Sequence, residues 1–192
     1  MLGVVLAGGE SRRMGADKLD LIVAGEPLWR RQAGVLRAAG ADPVVLMRRP
    51  GQPAPEGIAC WRDVAPQAGP LGGLHAALAR GVAPWVAVLA VDMPGIDAAW
   101  FRWLQGFCTG EAGAMARQAD DYEPLAAIYP AAAIGEVEAR IARGELSVQA
   151  LARALESSGR LRLVPIPPER AQQAANLNTP GDWQAWPGAE RR

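Results

Sequence analysis

An α/β domain with a mostly parallel central sheet and helices on both faces is the fold class predicted for this chain, and three observations predict it. The chain opens on an apolar run of strand length, Leu2 to Ala7, that breaks abruptly at Gly8-Gly9; such a run reads as a central strand covered on both faces. A second run, Trp85 to Val91, is the most hydrophobic in the sequence and reads as a central parallel strand ending at Asp92-Met93-Pro94. Amphipathic stretches alternate with these and with further strand-like runs, which is the βαβ pattern of a Rossmann-like arrangement with a late β-excursion. At 192 residues the size favours one domain, and no linker divides it.

Taken in order, Leu19 to Val23 alternates weakly and Gly25-Glu26-Pro27 turns the chain. Residues 27–39 form an amphipathic crossover helix, because Leu28, Trp29, Gln32, Val35, Leu36 and Ala39 recur at helical spacing up to a stop at Gly40. Arg30, Arg31 and Arg37 fall on its solvated face. Pro43 to Met47 is the second strand, with Arg48-Arg49 at its carboxyl end, facing either solvent or an anionic ligand. Pro50 to Gly57 is a loop, and Ile58 to Trp61 a short third strand followed by Asp63. The turn from Gln67 to Gly73 leads into a helix from Leu71 to about Arg80. Asp97 caps a helix from Ala98 to Phe107, whose Trp100, Phe101, Trp103 and Leu104 face the core or another subunit. Glu111 to Arg117 and Tyr122 to Tyr129 are strands joined through Asp120-Asp121. Ile134 to Ala142 and Val148 to Leu155 are amphipathic helices separated by Gly144, the second capped by Ser147. Leu161 to Ile166 is the last strand, and a short helix around Trp183 follows Asn176-Leu-Asn-Thr-Pro180. Asn176 and Asn178, two apart in an extended stretch, point the same way.

Composition excludes several classes. Lys plus Arg equals Asp plus Glu at 20 each, so general attraction to nucleic acid is not implied. Cys60 and Cys108 form no Cys-x-x-Cys pair, so a zinc site or disulfide framework is not suggested and a reduced, cytoplasmic setting is expected. No run reaches the length of a membrane span, and Leu2 to Ala7 is too short for a signal-peptide core. His75 is the single histidine, which rules out multi-histidine metal sites; one turn into a helix, it reads as a packing or surface residue.

Ligands of open α/β sheets bind beyond the carboxyl ends of the strands, so Gly8 to Lys18 sits over the expected site. Gly8, Gly9 and Gly15 permit close backbone approach, and Arg12, Arg13 and Lys18 add positive charge beside exposed N–H groups. That is an anion cradle. It matches neither the Walker loop nor the dinucleotide fingerprint. Asp92, a carboxylate at the tip of a buried strand and followed two residues later by proline, suits Mg²⁺ held between a protein oxygen and a phosphate.

The pattern Leu6-Ala-Gly-Gly-x-Ser-Arg-Arg-Met-Gly-x-Asp-Lys18 resembles the signature of the nucleotidyltransferases, most closely the MobA-like family of molybdenum cofactor guanylyltransferases. Gly69-Pro-Leu-Gly-Gly73, Asp92-Met-Pro94 and Asn176-Leu-Asn-Thr-Pro180 are similar to further motifs of that family. The resemblance implies transfer of GMP from GTP to the phosphate of molybdopterin or Mo-molybdopterin, with Mg²⁺ as cofactor and pyrophosphate released. It implies a nucleotide-binding half of about residues 1–95, using Leu6, Ala7, Gly8, Gly9, Lys18, Asp63 and Asp92, with Arg13, Lys18 and Asp92 catalytic. The acceptor half, about 96–192, would use Asn176 and Asn178 with Arg48 and Arg117 as charge partners. Other implied partners are molybdenum-insertion and molybdoenzyme-maturation proteins; nucleic acid and membrane are not implied, and a monomer or weak oligomer is expected. Asp63 also reads as a simple turn former. Two departures stand out: relatives often carry His-Pro-Leu where this chain has Glu123-Pro-Leu125, and some place asparagine where Arg48 ends the second strand.

The nearest competing reading is the cytidylyltransferase branch, which tends to have Leu-Ala-Ala-Gly in place of Leu6-Ala-Gly-Gly9; Gly8 favours GTP. Nucleotidyltransferases for other small phosphates are a further alternative. A catalytically dead nucleotide-binding regulator is the alternative from another class, and Lys18 with Asp92 argues against it. No activated nucleophile is needed, because the acceptor phosphate can itself attack the α-phosphate.

Overall fold

Strand β1 (Leu2–Leu6) lies in the middle of the sheet, flanked in parallel by β4 (Val44–Arg48) and β6 (Trp85–Ala90), with Val4 opposite Val45 on one side and Val88 on the other. The chain is described by a computed structural model over residues 1–8, 19, 21–119, 121–177 and 179–186. Beyond β4 comes β5 (Ala59–Arg62), also parallel. On the other flank β9 (Ala126–Pro130) runs antiparallel to β6, β7 (Gly113–Gln118) antiparallel to β9, and β10 (Leu161–Pro165) parallel to β7. The order is therefore β10-β7-β9-β6-β1-β4-β5, with β8 (Asp121–Tyr122) added to β7. A separate hairpin joins β2 (Ile22–Val23) to β3 (Glu26–Pro27).

Period-two alternation along the strands splits the core into two layers. Val5, Leu46 and Leu89 face one side and pack with Leu28 and Leu36 of α1 (Leu28–Ala38), Trp100 and Phe101 of α3 (Ala98–Gln105), and Trp183 of α6 (Pro180–Ala185). Val4, Val45 and Val88 face the other and pack with Leu71 and Leu74 of α2 (Pro70–Leu78), Val137 of α4 (Ile134–Arg143) and Leu151 of α5 (Val148–Ser157). Each such large apolar side chain contributes roughly 1.5–3 kcal/mol on leaving water. Trp100 is also tied by its indole: fully buried, it donates from Nε1 to Ala126 O at 2.9 Å and joins α3 to β9. The expected caps are present, since Asp97 Oδ1 accepts from Trp100 N at 2.9 Å and Ser147 Oγ from Ala150 N at 3.2 Å.

Two expectations need correction. Trp85 to Val91 is parallel only toward β1; its other neighbour is the reversed strand β9. The single strand expected from Tyr122 to Tyr129 is divided into β8 and β9 by Glu123-Pro124-Leu125. Pro124 has no N–H for a ladder, and its carbonyl instead accepts from the buried Tyr129 hydroxyl at 2.9 Å. Among the described residues no helix is long and apolar enough to cross a membrane.

Candidate active site

Because β1, β4, β5, β6, β7 and β10 all run the same way, their carboxyl ends share one edge. At its centre Leu6 O accepts from Val91 N and Ala7 N donates to Met47 O, both at 3.0 Å, so the chain leaving β1 is held between the tips of β6 and β4. Arg48 was expected among the acceptor contacts. It is instead fully buried, and its Nη1 donates to Ala7 O at 3.1 Å. This places a guanidinium beneath the start of the loop and not in the open cleft. Its neighbour Arg49 is half-buried and lies over Gly8, where an added Cβ would stand 3.3 Å from Arg49 Cγ. Gly9, Arg13 and Lys18 lie outside the described residues.

Asp63 follows β5 on the same edge and is buried. Its N–H donates to Arg48 O at 2.9 Å, and its Oδ1 accepts from Ala65 N at 2.8 Å. Burial pushes its carboxyl above the ordinary value, while the Ala65 amide and the charges of Arg49 and His75 pull less strongly the other way. The amino end of α2 closes over it: a Cβ on Gly72 would stand 2.7 Å from Asp63 Oδ1 and run into the Ala65 carbonyl. Gly69, at φ 58°, supplies the turn into that helix, and Pro70 starts it. His75, further along α2, stands 3.6 Å from Glu138 on α4, as suits a packing position.

Asp92 is half-buried beyond the tip of β6, and α1 holds the turn that carries it. Buried Gln32 donates from Nε2 to Met93 O at 2.8 Å and to Ala90 O at 3.3 Å. Arg31 donates to Pro94 O from Nε at 3.2 Å and from Nη2 at 2.7 Å. Sequence reasoning put Arg31 in solvent and Gln32 simply in the apolar stripe; an amide among Leu28, Trp29, Val35 and Leu36 was the signal that a buried carbonyl needed a donor. Asp92 O in turn accepts from Leu177 N at 2.9 Å, which brings the Asn-x-Asn stretch to the same strand tip. Asn176 is exposed there and Asn178 lies outside the described residues. Arg117 is exposed at the end of β7, its backbone paired with Tyr122.

Glu123 is half-buried in the turn before β9. Burial, with the like charge of Asp121, pushes its carboxyl up to about 7 from 4.5. A carboxyl whose folded value is raised favours the protonated native state, so stability falls as pH rises from about 4.5 to about 7. Allowing for solvent screening, the loss is about 1–2 kcal/mol. Glu123→Gln is expected to flatten this part of the stability profile, as read by urea denaturation across that window. An unchanged profile would remove Glu123 as its source.

A glycine just past one strand tip, a carboxylate at the neighbouring tip and a second stretch docked on that tip through Leu177 N and Asp92 O suit moving a nucleotide between two phosphates. The class so defined is that of the nucleotidyltransferases. The chain belongs to the MobA-like NTP transferase domain family, whose model matches residues 3–174. It is 49% identical over 186 residues to a probable molybdenum cofactor guanylyltransferase of Opitutus terrae, covering 95% of this chain and 92% of that one. It is 36% identical over 182 residues to a molybdenum cofactor guanylyltransferase of Xanthomonas euvesicatoria, covering 94% and 91%. The crystal structure of molybdopterin-guanine dinucleotide biosynthesis protein A from Archaeoglobus fulgidus superposes with a TM-score of 0.76 at 26% identity, covering 95% of this chain and 94% of that one.

Proposed function

We propose that this protein transfers GMP from GTP to the phosphate of molybdopterin, with or without bound molybdenum, and releases pyrophosphate. Beside the names of its relatives, the observation that carries this reading is the Leu177 N–Asp92 O hydrogen bond of 2.9 Å, which docks the Asn-x-Asn stretch against the strand that would serve the nucleotide. The nucleotide half is residues 1–95. Backbone N–H groups of Gly8 and Gly9 cradle the phosphates, Leu6 and Ala7 place that loop through their bonds to Val91 and Met47, Arg13 and Lys18 offset the phosphate charge, and Asp63 holds the nucleoside. The acceptor half, 96–192, offers Asn176, Asn178 and Arg117 to the second anion, while Arg48 supports the loop from below through Ala7 O.

In the reaction an oxygen of the acceptor phosphate attacks the α-phosphorus of GTP, and the bond from that phosphorus to the β-phosphate bridging oxygen breaks. Pyrophosphate carries away the electron pair. The chain's part is to align the two phosphates and to place positive charge and N–H dipoles where negative charge grows. Asp92 fits a magnesium ion, since a carboxylate at a strand tip is a hard oxygen donor and Mg²⁺ commonly combines one or two carboxylates with substrate phosphates and water. Bound there, it would supply neutralisation of the phosphate charge. We place the reaction in the cytoplasm.

Incubating the protein with molybdopterin and each nucleoside triphosphate in turn tests this reading, with pyrophosphate and the dinucleotide product followed together. GTP alone is expected to give both; product from CTP and not GTP would make this a cytidylyltransferase. Asn176→Ala combined with Asn178→Ala is expected to weaken molybdopterin binding by about 1–2 kcal/mol, the scale of a hydrogen bond to a charged group, with little change for GTP. Titrations of both ligands check it, and a loss confined to GTP would move this stretch to the nucleotide side.

A further inference from the structure

The turn Glu123-Pro124-Leu125 is held more firmly than a connection between two strands requires. Glu123 N donates to Ala116 O at 2.9 Å, Glu123 O accepts from Ala126 N at 3.3 Å, Pro124 O accepts from the Tyr129 hydroxyl at 2.9 Å, and Leu125 O accepts from Ala90 N at 2.8 Å. Through Ala90 the turn is fixed two residues from Asp92, on the carboxyl edge of the sheet. Its backbone is thus anchored to β6, β7 and β9. The Glu123 carboxyl has neither a hydrogen bond nor an ion pair among the described residues, is half-buried, and has Asp121 as a like-charged neighbour. A rigid support carrying an acceptor group with no donor is arranged for a donor that arrives with a ligand.

The two substrates differ in what they ask of this flank. Triphosphate and acceptor phosphate present oxygens, which need donors such as Asn176 and Arg117. The 2-amino-4-oxo ring of a pterin presents two N–H donors side by side, and a carboxylate is the side chain that accepts both at once. Resting on the molybdopterin reading above, we propose that Glu123 binds the amino–imino edge of the acceptor's pterin ring and so holds the acceptor on this flank of the cleft. Guanine carries the same edge, but Glu123 stands on the flank of β6 away from β1, β4 and Asp63, where the nucleotide half lies.

Glu123→Gln tests this, since the amide keeps the shape but offers one acceptor and a competing N–H₂. The KM for molybdopterin is expected to rise about tenfold or more, with the KM for GTP and kcat at saturating acceptor within about twofold, as loss of one arm of a charge-assisted pair implies. At pH 8 the variant is expected to be as stable as the parent or more so, because a half-buried charge beside Asp121 has been removed. A purely structural role would instead lower stability and leave the ratio of the two KM values alone. Titration of molybdopterin without nucleotide separates the two readings. If the parent binds molybdopterin and Glu123→Gln binds it equally well, the assignment of Glu123 is overturned while the function stands. If the parent neither binds nor modifies molybdopterin, the function fails first and this assignment with it. A rise in the KM for GTP alone would put the guanine ring at Glu123 and overturn the proposal.

Discussion

Asp92→Ala is expected to lower kcat for GMP transfer by roughly a thousandfold, about 4 kcal/mol of transition-state stabilisation, while the fold is kept. The size follows from position. Asp92 is half-buried just past the tip of β6, beside the chain leaving β1 through the Val91 N–Leu6 O bond, which is the chain proposed above to carry the phosphates of the nucleotide. On the proposed reading, removing the carboxylate would take away the protein's oxygen donor for a magnesium ion at the reacting phosphates. The backbone around it stays in place: Leu177 N still donates to Asp92 O, and Gln32 and Arg31 still hold Met93 and Pro94. Asp92→Asn provides the shape-conserving control and is expected to lose nearly as much. Steady-state rates at saturating GTP and Mg²⁺, beside far-ultraviolet circular dichroism, decide the matter; activity within tenfold of the parent would remove Asp92 from the reaction.

The second large effect is expected at a residue with no functional group. Gly72→Ala should destabilise the protein by about 2–3 kcal/mol, although alanine is the better helix former by nearly 1 kcal/mol. The new methyl would stand 2.7 Å from Asp63 Oδ1 and strike the Ala65 carbonyl. Either α2 lifts from the sheet, where Gly73 already lies against Leu6 and Met47, or the Asp63 carboxylate turns away from the Ala65 amide that it accepts from at 2.8 Å. In the second case the KM for GTP should rise about tenfold, because the nucleoside contact proposed for Asp63 would move with the carboxylate. Urea denaturation and GTP titration of the same variant separate the two routes. Unchanged stability with unchanged GTP affinity would mean that the close packing of α2 on Asp63 is not maintained in solution.

Much of this was legible without coordinates, and the reason is local. A continuous apolar run, and the glycine or proline that ends it, lie within a few residues of one another; Leu2 to Ala7 and Trp85 to Val91 therefore announced two buried strands, and Gly8 and Asp92 as residues just past their ends. Caps such as Asp97 and Ser147 were readable for the same reason, their partners being three residues away. What only the tertiary structure decided depends on which segments become neighbours. Arg48 was expected to face solvent or the acceptor's charge, because its own charge is visible in sequence and the Ala7 carbonyl that it meets is not. Arg31 was assigned to solvent by helical phase, yet the turn at Pro94, 63 residues on, is folded onto it. The reversal of β9 and the docking of Leu177 on Asp92 follow from strand order and long-range hydrogen bonds. A pattern of period two or 3.6 records which face of an element is buried. It does not record what buries it, and that is why the residues of the edge could be named in advance while the contacts that assemble it could not.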